Sequence, residues 1–493
     1  HALLFAQAIE SYGNEREWDV KFLISNCYPV LSKETKNPGH SLLSGIARVL
    51  PIESANVTSQ LIDIDMRQSF SHISSEDVVV LSKLLSRILE DDCIFAIRNG
   101  AIWRQTFESV YLPLASQIEG IDASASIVIT GAFGGIGRFL AQKTAEQYGC
   151  NLVLVTRSPL NKERREFVTS LKAHATVYTV QCDVSDLDAF SKAVDESGID
   201  VSSVKAVFHC AGVPASGLIA LKEHEQSKRV IQPKANGLLN LIRLFKHPAL
   251  RFICSFSSTI SYGAYHGESD YCAANSFLDV FSEAQSEKFG VRLVSVGWGA
   301  WQWDAWQSGE NMQNSTISRL RSQIGFSFEE GYQALISILA NEMNHCIVVP
   351  LEPVKYLSVF RDAFTKIIHE QSTPKSVAHK RPSIATIYEQ AQTETEIALE
   401  KVWNKYLGVA PIGIQDNFFE LGGQSISAMQ IIAELETLFD KTLNVATLFE
   451  ASNIKKLAEI IDDKASTSAE SQGKASSRGT KRKQAVRRRR AIS

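Results

Sequence analysis

The first place in this sequence where chemistry could be done is a glycine turn between a strand and a helix. Ser126-Ile-Val-Ile-Thr130-Gly131-Ala-Phe133-Gly134-Gly135-Ile136-Gly137 runs from a β-branched apolar stretch through glycines into a helical stretch, Arg138–Tyr148. Glycines at such a turn let backbone N–H groups approach a pyrophosphate, and the helix N-terminus adds a favourable dipole. The bland alternative is a glycine turn in an empty Rossmann fold. The next strand ends at Arg157-Ser158, and Arg157 stands twenty residues after Gly137. A site for NAD usually places Asp or Glu near there, to accept from the ribose 2′-OH. Arg can instead pair with the 2′-phosphate of NADPH, or it is simply a surface residue.

The elements that position this turn follow from hydrophobic patterning. The chain has 493 residues, 44% hydrophobic and 21% charged, as in ordinary globular proteins. Residues 126–130, 151–156, 176–181, 206–209, 251–256, 292–296 and 345–349 read as strands. Most are near-continuous apolar runs, as expected of a parallel sheet covered on both faces. Upstream, residues 1–120 also alternate strand and helix. Strands are expected over 18–24, 60–64 and 93–98, and helices over 41–49 and 75–89. No glycine-rich phosphate loop accompanies them, so this half can be Rossmann-like without holding a cofactor. Residues 101–113 are expected to lead out of it. Residues 365–392, with STPKSVAHKRPS, read as a linker. Residues 393–464 read as a small helical unit, and 465–493 as a basic disordered tail.

Taken together, Thr130–Gly137, Cys182-Asp183-Val184, His209-Cys-Ala211-Gly212 and Phe256-Ser257-Ser258…Tyr271-Cys-Ala-Ala-Asn275 resemble the short-chain dehydrogenase/reductase superfamily. Within it they look most like ketoreductase domains of modular polyketide synthases. Residues 1–120, with Arg48-Val-Leu-Pro…Leu61-Ile-Asp-Ile-Asp, are similar to the cofactor-free structural subdomain of those domains. The resemblance implies Tyr271 as proton donor and Ser258, thirteen residues earlier, as its partner. It places Asn275, not Lys, four residues after the Tyr, and the Lys earlier, at Lys234. It also implies cofactor contacts from Asp183 and Val184 at the adenine, Ala211 and Gly212 at the adenosine ribose, and Trp298 over the nicotinamide. Trp301, Trp303 and Trp306 fall where the family has a mobile lid, or are packing aromatics. His209 and His266 read as structural. The chemistry agrees with these types. Hydride addition to a ketone develops negative charge on oxygen, which two hydroxyl donors can stabilise. A Lys⁺ nearby favours the phenolate left behind. Asn275 would hold that Lys or a relay water. The two stereochemical diagnostics of the family are missing: Pro214-Ala215-Ser216 replaces Leu-Asp-Asp, and Gly263 stands where Trp is frequent.

Asp416-Asn-Phe-Phe-Glu420-Leu-Gly422-Gly423-Gln424-Ser425 resembles the phosphopantetheine attachment motif of carrier domains, with Ser425 opening a helix. A helix over 394–407 and two shorter ones complete an expected four-helix bundle. The Gly-Gly-Gln-Ser form looks closer to peptidyl than to acyl carriers. Asp416, Glu420 and Glu434 would make an acidic face. The expected architecture is therefore α/β, two Rossmann-like subdomains plus a carrier.

Composition narrows the function further. Net charge is −3, but residues 464–493 carry ten Lys/Arg and one Glu; removing that +9 leaves −12 for residues 1–463. An acidic folded part argues against nucleic acid. Eight scattered Cys without a CxxC pair suggest neither zinc nor disulfides and fit a reducing cytoplasm. No apolar run suits a membrane span, and the His at position 1 suggests a piece of something longer. The expected function is NADPH-dependent reduction of a carrier-tethered β-ketoacyl thioester, with 4′-phosphopantetheine added to Ser425 by a phosphopantetheinyl transferase and further synthase domains as partners. The alternatives are an α-ketoacyl substrate, as in depsipeptide synthetases, or a silent reductase beside a working carrier.

Overall fold

The computed structural model describes residues 1–11, 16–31, 37–54, 56–66, 73–86, 94–215, 217–302, 316–370, 379–382, 384, 386–423, 425–439, 441, 443, 447–448 and 451–462. It divides into two units, one of His1–Ile9 with Arg16–Thr365 and one of Glu10–Glu15 with Lys366–Ser493.

The first unit holds two sheets. The smaller is built from α1 (Ala2–Ser11), β1 (Trp18–Ser25), α2 (Leu43–Glu53), β2 (Val57–Ile64), α3 (Ser75–Leu85), β3 (Ile94–Arg98) and β4 (Ala101–Arg104). Strands β1, β2 and β3 pair in parallel, and β4 returns antiparallel on β3. The sequence reading took residues 101–113 as a way out of the subdomain; the return strand corrects its first four residues. Asn99 and Gly100 take φ of 53° and 73°, and an Asn-Gly pair with both φ positive is a two-residue hairpin turn.

Beneath this sheet lies a dry ion pair. Arg98 donates to Asp63 Oδ2 at 2.7 Å, and both side chains are buried. Asp63 also accepts from the backbone N–H of Cys27 and Tyr28. Burial pushes its carboxyl above the usual range, with Arg98 pulling the other way. Breaking such a pair strands a charge, which costs about 3–5 kcal/mol. Arg98→Leu is expected to lower the stability of this unit by that amount in urea unfolding. An unchanged midpoint would contradict it.

The larger sheet follows the expected pattern. Its elements are β5 (Ser126–Thr130), α4 (Gly135–Tyr148), β6 (Asn151–Thr156), α5 (Lys162–Leu171), β7 (Val177–Gln181), α6 (Leu187–Glu196), β8 (Val204–His209), α7 (His224–Phe245), β9 (Phe252–Ser258), α8 (Ile260–Gly263), α9 (Ser269–Phe289), β10 (Arg292–Trp298), α10 (Thr316–Ile324), α11 (Phe328–Ala340), β11 (His345–Val348) and α12 (Pro353–Glu370). All seven strands are parallel, in the order β7-β6-β5-β8-β9-β10-β11. The order reverses between β5 and β8, where such sheets open a crevice at their carboxyl ends. Every residue of β5 is buried, because helices cover both faces. Leu140, Ala141 and Leu335 belong to the core on one side, and Leu238, Leu241 and Phe277 to that on the other.

The small sheet's helix α2 braces α9. A Cβ on Gly45 would collide with the carbonyl of Ser269, so only glycine lets the two backbones meet. Glu53, at the end of α2, accepts from the N–H of Ile219 and of Gly267, both at 2.7 Å. The half built on the smaller sheet therefore fixes the start of the helix that carries Tyr271.

In the second unit, β12 (His379–Lys380) pairs in parallel with β13 (Val409–Ala410). The stretch expected as a linker thus contains the end of α12 and this strand. Helix α13 (Glu394–Leu407) starts with a capping box between Thr393 and Glu396 and ends at Gly408 in the left-handed region. Its buried Leu399, Val402, Trp403 and Tyr406 follow helical spacing. Helix α14 (Ser425–Phe439) and a helix over 454–462 close the core around Phe418 and Trp403, whose rings lie 5.3 Å apart. The acidic face is corrected. Asp416 is buried, accepts from Arg381 at 2.6 and 2.7 Å and from Gly413 N–H, and Glu434 accepts from Lys405 and Tyr406. Asp416 therefore builds the unit and Glu434 is tied to its neighbours, while Glu420 is exposed. The tail beyond residue 462, Trp303 and Trp306 lie outside the described residues.

Candidate active site and carrier site

A cavity of about 390 Å³ opens at the carboxyl ends of the large sheet. Gly131, Gly134, Gly135, Ile136 and Gly137 line one end of it, and Lys234, Ser258 and Tyr271 the other, with Gly212 and Trp298 also lining it. The glycines are dictated by space. Gly131 has φ 65°, and a Cβ there would come within 2.8 Å of the Cys210 carbonyl. A Cβ on Gly137 would strike the Gly131 carbonyl, so this glycine lets α4 close on β5. A Cβ on Gly134 would meet only the Gly131 carbonyl, at 3.3 Å, and otherwise points into open space. Helix α4 begins at Gly135, with its free N–H groups at the crevice. A cradle that only glycine leaves open, at a helix N-terminus, fits a dinucleotide pyrophosphate.

The catalytic candidates come from three elements. Ser258 ends β9, and its Oγ accepts from Ile260 N–H at 3.3 Å. Tyr271 and Asn275 are one turn apart on α9. Lys234 is buried in α7 beside Pro233, donates to the Phe256 carbonyl at 2.8 Å, and lies 5.6 Å from the centre of the Tyr271 ring. Burial lowers the Lys234 ammonium to about 8. Asn275 donates to the Tyr271 carbonyl at 2.8 Å rather than holding the Lys, and its buried Oδ1 has no partner among the described residues. An unsatisfied buried acceptor is a place for a water.

His209 keeps Lys234 in place from behind. Burial, the leading cause, and the Lys234 charge push the imidazole down to about 4, so it is neutral. Nε2 is 3.1 Å from the Lys234 carbonyl and Nδ1 is 2.8 Å from Thr130 Oγ1, which itself accepts from Ala211 N–H. The carbonyl can only accept, which puts the ring proton on Nε2 and makes Thr130 the donor to Nδ1. Thr130 is thus buried scaffolding, and His209 is structural.

The remaining cofactor candidates sit at the edge or below the surface. Arg157 and Ser158 are exposed at the end of β6. Asp183 Oδ1 accepts from Ser185, and the buried Val184 lends its carbonyl to Asn240. Phe133 is half-buried against Phe167, under the Arg164 guanidinium.

Residues 125–303 match the KR domain family, and residues 398–461 match the phosphopantetheine attachment site family. The chain therefore holds a KR domain followed by a phosphopantetheine attachment domain. Among curated relatives it is 24% identical over 339 residues to "Polyketide synthase PksM" of Bacillus subtilis (strain 168), covering 68% of this chain and 8% of that one. It is 23% identical over 447 residues to "5-methyl-1-naphthoate synthase" of Streptomyces sahachiroi, covering 86% of this chain and 24% of that one. The chain therefore spans a quarter or less of the length of these relatives. A solved structure of "A-type Ketoreductases from Modular Polyketide Synthase" superposes with a TM-score of 0.61 at 24% identity, over 71% of this chain and 72% of that one.

In this KR domain the sequence reading missed several cavity residues. Glu268 stands three residues before Tyr271 and could have been suspected from that spacing; burial, with Asp270 near, pushes it up to about 7. Arg321, Tyr356 and Phe360 come from α10 and α12, with no local signal. Trp301 packs on Trp298, with ring centres 4.8 Å apart, and fills the space over Gly331, so it is a packing aromatic. At Gly263 a Cβ would already lie 2.9 Å from Tyr265 Oη, which leaves no room for the Trp frequent there. In the carrier, Ser425 is the first residue of α14. Gln424 and the Ser425 side chain lie outside the described residues. Among the described residues, no helix is long and apolar enough to cross a membrane.

Proposed function

We propose that this ketoreductase uses NADPH to reduce a β-ketoacyl thioester tethered to a carrier, and that the adjoining carrier bears the chain on phosphopantetheine at Ser425. The observation that carries the reading is the convergence of Tyr271, Ser258 and Lys234 with the glycine turn on one cavity. The cofactor supplies a hydride when bound. Tyr271 and Ser258 donate to the substrate oxygen where negative charge develops, and Tyr271 passes its proton to it. Lys234, held by the Phe256 carbonyl and so near the ring, favours the phenolate that remains. Asn275 Oδ1 receives a water through which that phenolate regains a proton. Gly131 to Gly137 hold the pyrophosphate, and Arg157 the 2′-phosphate. Consumption of NADPH with a simple bicyclic ketone such as a decalone tests the reading. Paired β- and α-ketoacyl thioesters on the carrier separate the two substrate classes.

Arg157 yields a second expectation. Its guanidinium is exposed at the end of β6. An Arg–phosphate pair is a strong charge-assisted contact. Preference for NADPH over NADH in kcat/KM is expected to be about a hundredfold, equivalent to about 2.7 kcal/mol. Arg157→Ala should remove most of it. Equal kcat/KM for the two cofactors in the wild type would refute the assignment.

A further inference from the structure

One buried carboxylate on the catalytic helix has no part in the reaction as described. Asp279 follows Tyr271 by eight residues and Asn275 by four, so the three share one stripe of α9. It accepts from Ser261 Oγ and from Ser295 Oγ, each at 2.7 Å, and His345 Nδ1 stands 3.7 Å away. Ser261 comes three residues after Ser258, and its Oγ is also 2.9 Å from the Ser258 carbonyl. Ser295 lies on β10 next to Ser255 of β9. His345 is held in turn by Tyr262 Oη at 2.7 Å. One carboxylate thus ties the helix bearing Tyr271 to the turn bearing Ser258 and to the sheet beneath.

Its charge matters as much as its hydrogen bonds. Two groups hold the Lys234 ammonium up against burial, Cys210 and Asp279. Burial pushes the Cys210 thiol far above its ordinary value. That thiol is therefore neutral while Lys234 titrates, which leaves Asp279 as the charge that acts. The titratable groups around Lys234 are His209 and Cys210 at the end of β8 and Tyr271 and Asp279 on α9. Around Asp279 they are Arg48 on α2, Tyr262 on α8, Glu283 one turn on in α9, and His345 and Cys346 on β11.

We infer that Asp279 is a positioning residue of this site: it holds the Ser258 turn against the helix that presents Tyr271, and its negative charge opposes the buried ammonium of Lys234. This rests on the reading of Tyr271, Ser258 and Lys234 given above. Losing a negative charge disfavours the protonated amine, so Asp279→Asn should lower the Lys234 titration by about one pH unit. The ¹³Cε signal of labelled Lys234, identified by its loss in Lys234→Arg, reads this without cofactor. The alkaline limb of kcat should move down by the same amount. Ser261→Ala keeps the charge; it should lower kcat about tenfold while the Lys234 titration stays put. A Lys234 titration unchanged in Asp279→Asn overturns the charge role. A kcat within twofold of wild type in Ser261→Ala overturns the tie, and that variant decides alone if Asp279→Asn does not fold. If the wild-type protein consumes no NADPH with any ketone, the ketoreductase reading fails instead, and the NMR titration still tests Asp279.

Discussion

Tyr271→Phe is expected to lower kcat for ketone reduction by about 10²–10³ or more and to leave NADPH binding unchanged. Removing one oxyanion donor typically costs about that factor, and here the same hydroxyl also gives the proton. Ser258 remains as a donor, yet a serine hydroxyl is a far weaker acid than a phenol and is a poor source of the proton. Lys234 lies under the Tyr271 ring, so the ammonium would face a ring with no proton to release. The substitution removes a single oxygen and keeps the ring, so α9 should stay packed against α2 and α7. The cofactor contacts proposed for the glycine turn and Arg157 do not use the Tyr271 hydroxyl. Quenching of protein fluorescence by NADPH should therefore titrate as in the wild type, while single-turnover oxidation of the cofactor slows. Activity above about a tenth of wild type would show that another group gives the proton. Glu268 lines the same cavity and is raised to about 7, so it would be the first to examine.

The sequence made this site legible where the chemistry is local. The glycines are crowded into one turn, and Tyr271 and Asn275 share one helix face. The inner strands of the large sheet could be read because β5, β6, β8, β9 and β10 are apolar runs buried almost throughout; the edge strands β7 and β11 are only partly buried. What escaped depends on the fold. The return strand β4 carried its own signal, the Asn99-Gly100 turn, but β4 is short and exposed along its whole length, so no apolar alternation marked it. Arg321, Tyr356 and Phe360 reach the cavity from helices 50 to 90 residues further along the chain, and nothing in their own surroundings marks them. Asp416 read as a surface acid because it precedes a polar-looking motif. Its partner, Arg381, lies 35 residues upstream in a stretch that read as a linker. Nothing within the helix read over 41–49 marks Gly45 as the point where α9 crosses it. In each case the missing information was which surface another segment would cover.

The carrier yields the other large effect: Ser425→Ala is expected to abolish phosphopantetheine addition outright. Residues 418–423 of the motif are set by packing. Phe418 is fully buried against Trp403, and a Cβ on Gly423 would lie 2.5 Å from the Phe418 ring. Gly422 takes φ 89°, and Leu421 is buried. A glycine pair is needed because one member must turn in the left-handed region and the other must pass over an aromatic ring. The chain then enters α14 at Ser425. A hydroxyl at the first residue of a helix is held where the phosphodiester it acquires gains from the helix dipole and from free N–H groups. Ser427 is the nearest alternative hydroxyl, but it lies two residues further into the helix, away from its mouth. Treatment with a phosphopantetheinyl transferase and coenzyme A should add one group to the wild type, read by intact mass, and none to Ser425→Ala. Ser427→Ala should be modified as the wild type is. One group added to Ser425→Ala would move the attachment to another hydroxyl and break the link between the glycine pair and the helix start on which the carrier assignment of this residue depends.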